Sequence, residues 1–574
     1  MKMDKNEVSK ILREMAILLE LSDANPFKIR AFENAARVIE GLDQDLEAVV
    51  NAKKLREIKG IGETISHVIT DLVQTGSSKE YLSLKKKIHP GLLEMISIQG
   101  VGPKRAKILF KKRHIKSVAE LEKACQQHNI AKLEGFGEKS ELNILKGIED
   151  LKKHKEIIPY PLALYEAEKI KSHLLKSADI ERIEIAGSLR RRKEFVKDID
   201  LLVSSSKPEK IMKAFTKYSG VERILADGET KSSVVLKAGM NADLRVVSDK
   251  EFPYALLYFT GSKEHNTEMR SIAKLRHLKL NEYGLFKGTK RIPCKNEEAV
   301  FKTLGLEFIE PELRENLGEI EAAGSKKLPK GLVELTDLRG TFHNHTTESD
   351  GVATLEQMVA RAQKMGLEYL GISDHSQSAY YAKGLKPDRV KKQFKEIDKL
   401  NEKIHNFKIL KGSEVDILPD GSLDFEDSLL SEFDFVIASV HSKFNMSEKE
   451  MTQRVIRAIK NKYVTMIGHP TGRLIPSREP YPINLYELVD AAADHGKAME
   501  LNANPHRFDI DWKISKYAKS KKVAVSINPD AHSTEGLEDL AYGVGIARKG
   551  WLTKGDVLNT RSTEEILKFL KSYK

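Results

Sequence analysis

Val8, Ile11, Leu12, Met15, Leu18 and Leu19 recur at the three- and four-residue spacing of a single helix face. The chain keeps this period to residue 150, which predicts helices joined by short glycine turns. Beyond about residue 160 the runs shorten. Ile183–Ala186, Ile199–Val203, Ser233–Lys237 and Ala242–Val247 predict strands, and the turn Gly239-Met-Asn joins the last two as a hairpin would. An antiparallel α+β layer is expected there. Seven apolar runs follow: near Phe342, then Leu370–Ile372, Phe407–Leu410, Phe435–Val440, Val464–Ile467, Ala498–Leu501 and Val523–Ile527. Helical patterns such as Leu355–Met365 and Leu485–Ala493 lie between several of them, and this alternation predicts a parallel barrel. The stretch Ala322-Ala-Gly-Ser-Lys-Lys-Leu-Pro-Lys330 is small, polar and without period, and reads as a linker.

At 574 residues several cores are expected. Cys125 and Cys294 alone exclude a disulfide framework, fit a reducing cytoplasm, and leave nitrogen and oxygen as metal ligands. Neither a membrane-length apolar run nor a basic-then-apolar leader occurs, so a cytoplasmic protein with no membrane partner is expected. The net charge of +12 is uneven: residues 1–330 carry 61 Lys/Arg against 49 Asp/Glu, and residues 331–574 carry 35 of each. A polyanion-binding module joined to a neutral one has this distribution.

One pattern occurs three times in the basic part. Ile58-Lys-Gly60-Ile-Gly62 leads into Thr64–Val73, Ile98-Gln-Gly100-Val-Gly102 into Lys104–Phe110, and Leu133-Glu-Gly135-Phe-Gly137 into Ser140–Ile148. Bare amides beside a helix N-terminus bind a phosphate without reading a base. Lys104, Arg105, Lys107, Lys111, Lys112 and Arg113 flank the second copy. The three copies resemble helix-hairpin-helix motifs that hold a DNA backbone.

A carboxylate group comes next. Asp198 and Asp200 share one strand face, and the hairpin can bring Asp243 beside them. Three carboxylates without histidine suit two Mg²⁺ ions, which clamp the attacking and leaving oxygens of phosphoryl transfer. Gly187 and Ser188, with Arg190 and Arg191, offer donors to a triphosphate. Gly-Ser before Asp-x-Asp, with a later Asp-bearing strand, resembles the nucleotidyltransferase superfamily. Tyr258-Phe-Thr-Gly261-Ser262, with Asn266 and Arg270, resembles the nucleotide-binding segment of family X DNA polymerases. That resemblance covers residues 1–320. It implies that Asp198, Asp200 and Asp243 hold two Mg²⁺ or Mn²⁺ ions, with Asp243 assisting deprotonation of the primer 3′-hydroxyl. It implies that Ser188, Arg191 and Gly261 contact the nucleotide, that Tyr258 and Phe259 exclude a 2′-hydroxyl, and that Asn266 and Arg270 approach the minor groove of the nascent pair. Lyase-active members carry lysines where this chain has Thr64 and Val68, and Lys79 and Lys85 lie too far along, so weak or absent 5′-deoxyribose-phosphate lyase activity is expected.

Six of the nine histidines after residue 333 directly follow apolar runs. Histidine and carboxylate gathered at strand ends suit zinc and manganese. The set His343, His345, Asp350, His375, Glu414, His441, His469, Asp530 and His532 resembles the polymerase-and-histidinol-phosphatase (PHP) domain. The resemblance implies a site for up to three Mn²⁺ or Zn²⁺ ions, with Glu414 bridging, that hydrolyses a phosphoester through an activated water. His405, His495 and His506 fall outside the pattern and read as surface residues.

The expected chain is therefore multidomain, similar to family X polymerases of the bacterial and archaeal type with a C-terminal PHP domain. A helical N-terminal domain (1–80) and a fingers-like region (81–155) carry the hairpins. An α+β palm (156–250) and thumb (251–320) follow, then a linker (321–333) and a distorted (β/α)₇ PHP barrel (334–574). The expected function is short-gap filling in DNA repair with 3′–5′ exonuclease or 3′-end processing, and abasic-site endonuclease as a related outcome. Gapped or primer-template DNA and deoxynucleoside triphosphates are the expected partners of a monomer. The alternatives are a barrel that hydrolyses small phosphoesters or pyrophosphate, and a DNA-binding scaffold with vestigial sites.

Overall fold

The computed structural model describes residues 3–573 except 4, 41, 43–45, 59, 97, 99, 100, 134, 156, 157, 178 and 476. Contacts divide it into two compact units, Met1–Lys155 with Pro476–Arg478, and Glu156–Ile475 with Glu479–Lys574.

The first unit is helical. Lys5–Leu21 buries Val8, Leu12, Met15 and Leu19 against Phe32, Ala35 and Ile39 of Pro26–Glu40. The glycine turns lead into helices Glu63–Thr75, Pro103–Arg113 and Glu138–Lys155, as the pattern predicts. A second core gathers Met95, Val101, Leu109, Leu121, Ile144 and Ile148.

The second unit holds two main sheets among the described residues. The palm sheet comprises β1 (Arg182–Ile185), β2 (Asp198–Ser204), β3 (Val221–Asp227), β4 (Lys231–Leu236) and β5 (Asn241–Val247), in the order β1-β2-β5-β4-β3. The pair β2·β5 is parallel and the others are antiparallel. The expected hairpin is thus β4–β5, and its second strand inserts beside β2. Strand β3 has no counterpart in the sequence reading. It is an edge strand whose side chains past Val221 are exposed, so it lacks an apolar alternation. Phe252–Thr260 and Lys263–Leu275 follow, then a small three-stranded sheet over residues 279–292.

The expected seven runs are seven parallel strands in chain order: β6 (Gly340–Thr341), β7 (Tyr369–Ile372), β8 (Lys408–Asp416), β9 (Phe435–Ser439), β10 (Met466–Ile467), β11 (Ala498–Asn502) and β12 (Val525–Asn528). A parallel bridge between Asn344 and Ala531 closes the circle, with His345 N donating to Ala531 O at 2.8 Å. Phe342, Tyr369, Leu410, Phe435 and Met466 plug the interior, and a Cβ at Gly412 would stand 2.1 Å from the Phe435 ring. The connecting helices start on reciprocal caps written in the sequence, Thr354 with Gln357 and Ser447 with Glu450.

The stretch expected to link, 321–333, is packed at both ends. Helix Glu319–Gly324 buries Ala323, and Val333 enters the barrel core. Apolar side chains that face separate cores, without period, leave no helical or strand signature in so short a stretch.

Candidate active sites

The palm site forms where β1 ends. Ala186 N donates to Asp200 O at 2.8 Å, and the chain turns into the short helix Gly187–Arg190. A Cβ on Gly187 would stand 2.0 Å from Asp200 Oδ2, and its φ is +62°, so glycine is required there. The β2·β5 register sets Asp200 directly opposite Asp243, with Asp198 two residues earlier on the same face. Ser188, Arg191, Asp198, Asp200, Tyr258, Phe259, Gly261, Asn266 and Arg270 all line one cavity of 380 Å³. Asp243 is held by Lys231 Nζ at 3.0 Å. Neither Lys231 nor Lys263, which also lines the cavity, had a motif to announce it.

Burial, and then Asp198 and Asp243, push the Asp200 carboxyl up to about 7. Burial and Asp243 also raise Asp198. Asp198 and Asp200, which resist ionisation beside Asp243, form with it a donor set for hard divalent cations, whose charge would relieve the repulsion. Asn266 Nδ2 donates to Tyr258 O at 2.6 Å, and the Tyr258 and Phe259 rings meet edge to face at 5.2 Å, with the Arg245 guanidinium 4.4 Å from the Phe259 ring centre.

The two arginines divide. Arg190 binds Glu297 through both Nη atoms (3.0 and 2.6 Å) and Thr260 Oγ1 at 2.6 Å, so it braces palm against thumb instead of facing a triphosphate. Arg191 stays at the cavity, with Nη1 donating to Thr260 O and Nε to Glu315 Oε1 at 3.1 Å. Beneath it lies Lys549, only 1% exposed, from the barrel's helix Leu540–Lys549. Its Nζ donates to Arg191 O at 3.2 Å, Glu312 O at 3.2 Å and Glu315 Oε1 at 2.5 Å. Arg548 to Glu312 (2.7 Å) and Arg473 to Glu194 (2.9 Å) extend this seam of the barrel, the first to the thumb and the second to the palm.

At the barrel all nine expected ligands converge. They form four overlapping groups: His345, Asp350, His375 and His532; His343, His469 and Asp530; His343, His345 and Glu414; and His375, Glu414 and His441. Within each group the ligand atoms lie within 4.8 Å of one another. Glu414 Oε2 stands 2.9 Å from His375 Nδ1 and 3.3 Å from His343 Nε2, and its Oε1 stands 2.7 Å from His469 Nε2 and 3.2 Å from His441 Nε2. His343 Nε2, both ring nitrogens of His345 and His441 Nε2 are buried without a hydrogen-bond partner. Orphaned imidazole nitrogens facing carboxylates fit borderline divalent metals.

Burial lowers His343, His345, His441, His469 and His532, and their charged neighbours decide which of them rise above their usual value. Glu500, Asp530 and Glu414 raise His343 well above its usual value against that burial, and His441 and His532 reach about 9 beside Glu414 and Asp350. His345 falls to about 4 through burial with His532 and His375, and His469 to about 4 through burial with Arg507. Glu414 and Asp530 are held well below the carboxylate range despite burial, by His441 and His343 for the first and by His343 and Arg507 for the second.

Two carboxylates missing from the sequence reading orient the ligands. Glu500 Oε1 meets His343 Nδ1 at 2.7 Å while its Oε2 accepts from His469 N at 2.6 Å, and Asp416 Oδ1 meets His441 Nδ1 at 2.6 Å. Asp416 lies two residues after Glu414 on β8, the one signal that could have found it. His405, His495 and His506 are exposed and outside the cluster.

In the helical unit, Gly60 and Gly135 have φ of +98° and +82°, and a Cβ on Gly62, Gly102, Gly135 or Gly137 would meet nothing within 4 Å. Open space before these turns leaves room for a phosphate. Gly100 lies outside the described residues. Lys104 is exposed, whereas Lys107 and Lys111 are paired with Asp23 at 2.5 and 3.4 Å and so are partly neutralised. Thr64 is exposed and Val68 buried, and Lys79 and Lys85 sit on the following helix Lys79–Lys87.

A carboxylate-bearing palm joined to a histidine-lined parallel barrel defines a nucleotidyltransferase coupled to a metallo-phosphoesterase. Family models match in sequence order: a helix-hairpin-helix domain over residues 3–78, a SAM-like helix-hairpin-helix tandem over 92–150, a DNA polymerase beta thumb over 255–315 and a PHP domain over 341–504. The chain is 38% identical to the DNA polymerase/3′-5′ exonuclease PolX of Bacillus subtilis (strain 168), over 99% of this chain and 100% of that protein. It therefore belongs to the PolX family, the family X DNA polymerases with a C-terminal PHP domain. A probable phosphatase of Thermoanaerobacter sp. (strain X514) is 31% identical over 40% of this chain and 94% of its own length. A solved structure of Leishmania infantum polymerase beta in a ternary P/T complex is 24% identical over 39% of this chain and 99% of that chain, at a TM-score of 0.27.

Proposed function

We propose that this chain fills short gaps in DNA at the palm and trims 3′ ends at the barrel. The reading rests above all on the convergence of all nine barrel ligands in a chain aligned end to end with a DNA polymerase/3′-5′ exonuclease. Asp198, Asp200 and Asp243 hold two Mg²⁺ or Mn²⁺ ions. Ser188, Arg191 and Gly261 bind the triphosphate of a deoxynucleotide, Tyr258 and Phe259 wall off its 2′ position, and Asn266 and Arg270 face the nascent pair. The glycine turns, with Lys104, grip the DNA backbone. At the barrel up to three Mn²⁺ or Zn²⁺ ions would polarise the phosphodiester and activate water. Glu414 sits between the groups, while Glu500 and Asp416 fix the rings of His343 and His441. The domains run as the sequence divides them, and the protein acts as a cytoplasmic monomer.

One labelled gapped duplex tests both activities under Mg²⁺, Mn²⁺ and Zn²⁺ titration. Asp198→Ala with Asp200→Ala abolishes extension and leaves degradation, and His343→Ala with His345→Ala does the reverse. Loss of both activities from either pair would sink the two-site reading. The phosphatase relative favours a second reading, a barrel for small phosphoesters, in which histidinol phosphate would be a better substrate than a 3′-recessed duplex. Borohydride trapping of an abasic 5′-phosphate is expected to give no adduct, because Thr64 and Val68 supply no amine.

A further inference from the structure

The turn after the ligand His375 carries two adjacent tyrosines that packing does not use. Tyr380 is 84% exposed and Tyr381 69% exposed, whereas Ala379 and Ala382 beside them are fully buried. The turn is built firmly. Ser376 N donates to Glu414 O at 3.0 Å and Leu385 N to His375 O at 2.8 Å, clasping both ends to the ligand strands. A Cβ on Gly384 would stand 1.8 Å from Ser376 O, so the clasp requires glycine. Ser378 Oγ donates at 3.0 Å to Asp416 Oδ2, whose other oxygen orients His441. The Tyr381 ring centre lies 6.1 Å from that of His375 and 6.3 Å from that of His441, at steep angles of 61° and 70°. The ring thus stands edge-on at the rim of the cluster.

Rigid exposed aromatics beside a phosphoester site suit one class of ligand. Nucleobases stack on aromatic faces whatever their sequence, because every base has a π-face. A base lying on Tyr381 brings its phosphodiester to His375 and His441, while a small phosphoester has nothing to lay there. We propose that Tyr380 and Tyr381 form a stacking platform for the terminal nucleobase of a DNA strand whose 3′ end enters the barrel. This rests on the exonuclease reading of the barrel and adds what selects a polynucleotide there.

The test uses the full chain with Mn²⁺ and a single-stranded oligonucleotide bearing 3′-terminal 2-aminopurine behind a phosphorothioate linkage. Stacking quenches the fluorophore in the wild type and in Tyr381→Phe, and Tyr381→Ala abolishes the quenching. In degradation assays Tyr381→Ala raises KM for ordinary 3′ ends by roughly tenfold and leaves kcat within about twofold, as loss of one stacked base implies. Ends terminating in an abasic analogue show no such change. Quenching that survives Tyr381→Ala, or an equal rise in KM on base-bearing and abasic ends, would overturn the platform and leave the exonuclease reading intact. Quenching without any degradation by the wild type would overturn the exonuclease reading and leave the platform standing.

Discussion

Asp198, Asp200 and Asp243 gather three carboxylates on neighbouring palm strands, the first two lining an open cavity, whereas the barrel interleaves six histidines with three carboxylates at one end of its strands. In the palm, burial and neighbouring carboxylates raise Asp198 and Asp200, and Asp200 reaches about 7. In the barrel Glu414 and Asp530 stay well below their usual range because histidine and arginine surround them. Glu500 and Asp416 then lock the rings. The palm set would be balanced only by bound cations, while the barrel set is largely compensated by its own histidines and Arg507.

The sharpest break of this contrast comes from the orienting carboxylates. Glu500→Gln is expected to weaken Mn²⁺ activation of 3′-end removal about 10- to 100-fold and to leave primer extension unchanged. Unchanged activation would mean that the barrel ligands hold their geometry unaided. The next largest effect is on pH dependence. Protons compete with metal for Asp200, so half-saturating Mg²⁺ for extension should rise about tenfold for each pH unit below about 7 and level off above it. At the barrel the competing protons sit on His441 and His532 at about 9, so metal affinity should keep climbing up to that pH. Superimposable profiles would erase the distinction. The smallest effect concerns the seam. Lys549→Met should raise KM for deoxynucleotides about fivefold, the worth of its hydrogen bond to Arg191 O, with little change in kcat. Lys549→Arg should restore much of the loss, and a fall confined to kcat would refute the positioning role.

Most of the barrel was readable because parallel strands bury both faces and appear as unbroken apolar runs. All seven runs are strands, and eight of the nine expected ligands lie at or just past the ends of six of them, Asp350 alone coming from a loop further on. The palm carboxylates were readable through the two-residue period of β2. What escaped depends on long-range partners. Glu500 sits inside an apolar run, and its role shows only once His343, 157 residues away, meets it. Arg190 and Arg191 are adjacent and alike in sequence, yet Glu297 claims one and leaves the other at the cavity. Edge strand β3 escaped because its exposed face carries no alternation.

The seam at Lys549 has a consequence for inheritance. The probable phosphatase of Thermoanaerobacter matches 40% of this chain across 94% of its own length, so that share recurs without the rest. The palm of this chain lacks that freedom, because Arg191 and Glu315 lean on an ammonium that the barrel contributes. Loss of the C-terminal half from such a gene would cost more than a nuclease. It would also remove the ammonium beneath Arg191, and the polymerase left behind would hold its nucleotide less tightly.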